Sequence, residues 1–193
     1  MITDALVRWI SPVLSFTADE IWQHLRQQSE SDKTSRAPTV FTQTYLDTLH
    51  PLGKETAISA SDWALISEVR DAVSKSLETL RSAGDIGGAL EASVTLYASE
   101  GVAAALDKLG DELRFVLITS TADVLPLENK PTEVDVLKTG DHPFAVASRP
   151  ATGNKCVRCW HLRDDVGSHA EHPEVCERCI SNVYGDGELR AIA

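Results

Sequence analysis

Near the N-terminus Leu6, Trp9, Ile10, Val13 and Leu14 recur at helical spacing, and Pro12 forces a kink or an end. Thr17 and Glu20 have the T-x-x-E spacing of a capping box, with Phe16 and Ile21 at the staple positions, so a second helix is expected over about 17–28. Two helices meeting at a corner, with no obvious apolar partner in the residues that follow, read as a piece of a larger helical bundle. The polar stretch from Ser29 to Pro38 is linker-like. Beyond it Trp63, Ile66, Val69, Val73, Leu77 and Leu80 recur at three and four residues and predict a helix over 62–83, with Gly84 placed to end it. Ala92 to Ala98 alternates as a strand does, and Ser99 is placed to cap a short helix that ends at Leu109 and Gly110. Strands are then expected at 115–119, 124–127, 134–137 and 144–147, separated by Pro and Gly signals. The fold class is therefore α+β, with a helix packed on a small mixed sheet so that each buries its apolar face.

Composition bounds this picture. The 193 residues are 42% apolar and 24% charged, which supports a packed core and excludes a wholly disordered chain. No run approaches the roughly 20 apolar residues of a membrane helix, and no export signal precedes the first helix, so a soluble, cytoplasmic location is expected. Lys and Arg number 18 against 29 Asp and Glu, a net charge of −11. Residues 1–148 hold 12 basic and 22 acidic side chains, residues 149–193 hold 6 and 7. Such an acidic body argues against sequence-independent binding to phosphate backbones and confines any nucleic-acid contact to a local surface. The boundary near Arg149 and Pro150 gives four expected regions: a bundle remnant at 1–28, a linker at 29–61, a small α+β domain at 62–148 and a tail at 149–193.

That tail carries the chemistry. All 4 cysteines lie there, as Cys156-Val157-Arg158-Cys159 and Cys176-Glu177-Arg178-Cys179. Two C-x2-C pairs at this separation read as a zinc site, because each tight turn aims two thiolates at one ion. Disulfides or redox pairs are the other reading, disfavoured where no export signal is present. Four thiolates leave no open coordination position, so the zinc is expected to be structural rather than catalytic. His161, His169 and His172 lie within the motif, His172 being the best placed to replace a cysteine, though an all-cysteine set is simpler. Four thiolates and one Zn²⁺ sum to −2, which Arg158 and Arg178 are placed to balance in part.

Trp160 directly follows the first knuckle, with Lys155, Arg158, Arg163 and Arg178 near it in sequence. An aromatic beside guanidinium groups can stack on an unpaired base and hold phosphates. Equally, Trp160 can cover a ribbon too small for a core, with the arginines paired to Asp164, Asp165, Glu174 or Glu177. No catalytic motif of the G-x-S-x-G, G-x-x-x-x-G-K-[ST] or G-x-G-x-x-G type occurs, and the glycines from Gly84 to Gly88 read as a turn.

Taken together, Ser11 to Trp22, Trp63 to Ala92, and Lys155 to His161 with Cys176 to Cys179 and the following Asn182, Gly185, Gly187, Glu188 and Arg190 resemble the C-terminal region of bacterial isoleucyl-tRNA synthetases, of class I. Ser15 stands where that family's first element has a second proline. The resemblance implies the end of a helical anticodon-binding domain, a following α+β part and a terminal zinc finger that ends naturally at Ala193. It further implies a parent enzyme that joins isoleucine to its tRNA with ATP and uses these parts to hold the anticodon side of tRNA(Ile), with no DNA partner. Because H-x-G-H and K-M-S-K-S are absent from this chain, the chain by itself is expected to be inactive. A zinc finger of similar spacing occurs in formamidopyrimidine-DNA glycosylases, but Ile2 and Thr3 follow Met1 in place of that family's catalytic Pro-Glu. A free-standing zinc module that binds a protein partner through the acidic body is the other alternative.

Overall fold

The computed structural model describes residues 2–28, 35–47, 56–190 and 192. These form two compact units, Met1–Gly53 and Lys54–Ala193. Residues 29–34, part of the expected linker, lie outside the described residues, as does Ala193.

In the first unit, α1 (Ile2–Ile10) and α2 (Ser15–Gln27) meet at a turn through Pro12, closed by Val13 and Leu14 donating to the Ile10 carbonyl at 2.9 and 2.8 Å. Val7, Ala18, Trp22 and Val40 make its small core. Val40 comes from the stretch expected to be linker, where a single 3-10 turn (Val40–Thr42) is held by Asp19, which accepts from Thr39 Oγ1 at 2.6 Å and the Val40 amide at 3.1 Å. Trp22 is fully buried, and its indole N–H donates to the Ala37 carbonyl at 2.9 Å.

The expected capping box does not form. Helix α2 starts at Ser15 with Leu14 at the cap position, and the Ala18 amide already bonds the Leu14 carbonyl at 2.8 Å, so Thr17 lies inside the first turn and cannot take the extended conformation a cap needs. Phe16, 94% exposed, makes no staple.

In the second unit the long helix α3 (Ala60–Ala83) starts at a capping box that sequence spacing did not single out: Ser59 Oγ accepts from the Asp62 amide at 3.1 Å, and Asp62 accepts from the Ser59 amide at 2.9 Å. Gly84, at φ 82°, ends it in the left-handed conformation that glycine adopts most cheaply. Its apolar face of Ile66, Val69, Val73 and Leu77 packs on a four-stranded sheet of order β2-β1-β4-β3, formed by β1 (Ala92–Ala98), β2 (Thr121–Pro126), β3 (Leu137–Thr139) and β4 (His142–Pro150). Strands β1 and β2 are parallel, and the other pairs are antiparallel. The crossover between β1 and β2 carries α4 (Glu100–Asp107) and α5 (Leu113–Leu117).

The α+β expectation therefore holds, with three local corrections. Residues 115–119 are not a strand: α5 occupies most of the stretch, and Ile118 at φ 58° ends it while the Thr119 amide bonds the Arg114 carbonyl at 2.9 Å. A short apolar run carries no period long enough to separate a buried strand from one helical turn. The strand expected at 134–137 begins only at Leu137, because a turn in which Val134 bonds Pro131 precedes it. Ser99 sits at the cap position of α4 without a capping hydrogen bond.

After β4 the chain enters a two-stranded ribbon, β5 (Asn154–Lys155) against β6 (Leu162–Arg163), and then a helix that periodicity did not reveal, α6 (Glu177–Tyr184). Gly153, at φ 91°, is required at the ribbon's entry, since a Cβ there would lie 2.5 Å from the Arg163 backbone. The ribbon is tied to the sheet by buried Ser120, whose hydroxyl donates to the Leu90 carbonyl at 2.6 Å and accepts from the Leu162 amide at 2.7 Å. Lys155 adds an ion pair to Glu91 at 2.9 Å.

Candidate metal centre

The first knuckle folds back because the Cys156 amide bonds the His161 carbonyl at 3.0 Å and the Trp160 amide bonds the Cys156 carbonyl at 2.9 Å. The second knuckle runs into α6, with Cys176 at its cap position and Cys179 in its first turn. The four sulfur atoms lie within 4.8 Å of one another, and Cys159 and Cys176 are 3.7 Å apart. A tetrahedral ion with Zn–S bonds of about 2.3 Å places its sulfurs about 3.8 Å apart, so the donor set fits one zinc ion closely. Cys156, Cys176 and Cys179 are buried, and no histidine joins the cluster among the described residues. His172 instead stacks on Tyr184, with ring centroids 4.0 Å apart.

Burial pushes the Cys159 and Cys176 thiols up. Burial also opposes ionisation of Cys156, but amides of Cys159, Cys176 and Arg158 pointing at its sulfur bring it down to about 6. Four thiols crowded in this way cannot all ionise unaided, and a divalent cation at their centre removes that penalty. Arg158 donates to Cys179 Sγ at 3.4 Å, in keeping with the charge-balancing expectation, and the Cys176 amide donates to Cys156 Sγ at 3.4 Å.

The surrounding residues divide clearly. Trp160 is 60% exposed and sits at φ 67°. A non-glycine residue in this region costs roughly 1–2 kcal/mol, and an indole left 60% exposed offsets only part of that by burial. The basic residues are held within the molecule: Arg158 by the Cys179 sulfur, Arg163 by Asp165 at 3.5 Å and Lys155 by Glu91. Arg178 makes a two-point pair with Glu188 at 2.7 and 2.6 Å, a partner not foreseen from sequence. This pair holds the Glu188 carboxyl down at about 2.

A second cluster was not legible from spacing. Arg114, Arg178 and Arg190 surround the Phe115 ring at 4.8, 4.7 and 4.2 Å, and His161 meets it edge-on at 6.0 Å. These five residues come from four separate parts of the chain, and only the fold unites them.

Two family models match. One, described as an anticodon-binding domain of tRNA ligase, covers residues 1–96. The other, described as a zinc finger found in FPG and IleRS, covers residues 153–182 and so includes all four cysteines and Trp160. The whole chain is 49% identical to an isoleucine-tRNA ligase of Teredinibacter turnerae, 48% to one of Nitrosococcus oceani and 45% to one of Haemophilus influenzae. It spans 20% of the length of each of these relatives. Among the described residues, no helix is long and apolar enough to cross a membrane.

Proposed function

Since the chain is homologous along its whole length to a segment of bacterial isoleucine-tRNA ligases, we propose that it is a tRNA-binding region of such an enzyme, engaging the anticodon side of tRNA(Ile). In this reading Cys156, Cys159, Cys176 and Cys179 ligate one structural zinc, which supplies no chemistry beyond fixing the knuckles. The parent enzyme, cytoplasmic, attaches isoleucine to tRNA using ATP in a part of the protein outside this chain. The observation that carries the RNA role is Trp160: it accepts a left-handed backbone and stays 60% exposed, two costs that an unpaired base stacking on the indole offsets. Lys155, Arg158, Arg163 and Arg178 are committed to internal partners, so their contribution is to hold the knuckles and shape the local field.

The glycosylase reading draws support only from residues 153–182, whereas the ligase relatives match the full chain. The test is binding of the zinc-loaded chain to tRNA with an isoleucine anticodon and to the same tRNA with a changed anticodon, at two salt concentrations. Tighter binding to the first, retained at the higher salt, is expected. Equal weak binding to both would remove the recognition role.

A further inference from the structure

The four sulfurs of the metal centre are not equally accessible. Cys156, Cys176 and Cys179 are buried, and Cys159 is not. A narrow recess between α5 and the ribbon, walled by Phe115, His161 and three arginines, is also lined by Cys159 and Cys176, whereas Cys156 and Cys179 stand outside its walls. Its free volume is about 10 Å³, the space of one water. Cys159 therefore combines partial exposure with a place in the recess. The other sulfur-bearing residue of the recess, Cys176, belongs to the opposite knuckle, and its sulfur lies 3.7 Å from that of Cys159.

We propose that Cys159 is an oxidation site for a small hydroperoxide, of the size of hydrogen peroxide, and that Cys176 converts the product into a disulfide joining the two knuckles. Reactivity toward peroxide follows thiolate character and access. Ligation keeps all four sulfurs ionised, so access decides, and access singles out Cys159. In the first step Cys159 Sγ attacks the nearer peroxide oxygen. An S–O bond forms, the O–O bond breaks, and its electron pair leaves on the far oxygen as hydroxide. The sulfur is oxidised by two electrons to a sulfenic acid as the peroxide is reduced. Only one oxygen has to enter the recess, which is what its volume allows. In the second step Cys176 Sγ attacks the Cys159 sulfur, expels its hydroxyl as hydroxide and closes the 3.7 Å gap to a disulfide bond of about 2.05 Å. Two thiolates and one hydrogen peroxide thus give one disulfide and two hydroxides. With two ligands withdrawn, zinc leaves and the ribbon loses what holds it. In the RNA-binding reading, on which only this last consequence rests, oxidation dismantles the frame of Trp160, and reduction with zinc restores it.

The competing account is indiscriminate oxidation, in which each knuckle closes on itself as Cys156–Cys159 and Cys176–Cys179. The zinc-loaded full chain is treated with hydrogen peroxide or with the bulkier tert-butyl hydroperoxide, as wild type and as Phe115→Ala. Zinc release is followed with a chromogenic chelator, sulfenic acid is trapped with dimedone, and disulfides are mapped by mass spectrometry. Relative to their rates with free cysteine, hydrogen peroxide should release zinc from the wild type several-fold faster than tert-butyl hydroperoxide does. The first trapped sulfenic acid should be on Cys159 and the first disulfide should be Cys159–Cys176. Phe115→Ala, which removes one wall of the recess, should narrow the size preference. The wild-type map and size preference decide the matter even where that variant binds zinc poorly.

Disulfides within each knuckle as the first products, or equal normalised rates for the two peroxides in the wild type, would overturn the assignment of Cys159. The oxidised protein should also lose affinity for tRNA carrying the isoleucine anticodon and regain it with dithiothreitol and zinc. Oxidation mapped to Cys159 with unchanged tRNA affinity would overturn the coupling to RNA. No binding of the reduced, zinc-loaded protein to tRNA with either anticodon would remove the RNA reading itself, while the disulfide map still decides the oxidation site.

Discussion

The α+β body and the zinc ribbon belong to one compact unit yet are held together by opposite means. In the body, sixteen buried apolar residues among those described, from α3 and the turns that flank it, the sheet and the β1–β2 crossover, form a continuous core. The ribbon's buried cluster is Cys156, Val166, Cys176 and Cys179. Three of its four members are thiols, so it has almost no hydrophobic core to fall back on. Apolar burial stabilises the body at roughly 25 cal/mol per Å², spread over many side chains. The ribbon concentrates its stability at one point. A region of the second kind is free to put its apolar surface outside, and Trp160 and Tyr184, 60% and 65% exposed, are where it does so.

The largest expected effect separates the two regions directly. Removing zinc, by chelation or by Cys176→Ala, should unfold the chain from about Lys155 onward, because structural zinc in small ribbons supplies about 10–16 kcal/mol of apparent binding energy that is also folding energy. Limited proteolysis should then trim the tail and spare the body. A tail as protease-resistant after confirmed metal loss as before would contradict the comparison.

The converse cut is Ile66→Ala. This side chain is 1% exposed on the inner face of α3, so its loss should cost about 2–5 kcal/mol in denaturant unfolding of the body. Zinc affinity under native conditions should not change. Reduced zinc affinity in that variant would mean that the two regions fold as one.

Acid should separate them more gently. Lys108, then Ser59, hold the Asp62 carboxyl down at about 2, against an ordinary value of 3.8. A depressed carboxylate contributes stability that is present above 3.8 and lost as pH falls toward 2. Protonation of the thiolates releases the metal before that. Acid titration should therefore disorder the ribbon first, as measured by zinc release and tail amide exchange. Asp62→Asn should lower the body's urea midpoint at pH 7, with the gap to wild type narrowing below 3.8. A gap that widens on acidification would contradict the assigned sign.

What was readable in the residues follows the same division. The knuckles were legible because metal ligation demands fixed residue types at fixed spacing, and the long helix because its period runs for many turns. Residues 115–119 were misread since one turn of helix and a buried strand share an apolar run, and only the Arg114 and Phe115 carbonyls receiving the turn-closing amides decide between them. Thr17 and Glu20 had capping spacing yet lie within a helix that starts earlier, whereas Ser59 and Asp62, with the same spacing and a shorter acid, form the real box. The arginine cluster was invisible because Arg114, Arg178 and Arg190 meet only through tertiary packing, and Arg178 was matched in sequence to local acids when Glu188 is its partner.

The most direct test of the tRNA-binding account is Trp160→Gly in the zinc-loaded chain, measured for affinity to tRNA bearing the isoleucine anticodon. Glycine suits the φ of 67° better than tryptophan does. The variant should therefore keep its zinc and be at least as stable as wild type, while losing about 1–3 kcal/mol of binding, the worth of one stacked base. Unchanged affinity in a folded, zinc-loaded Trp160→Gly protein would contradict the account.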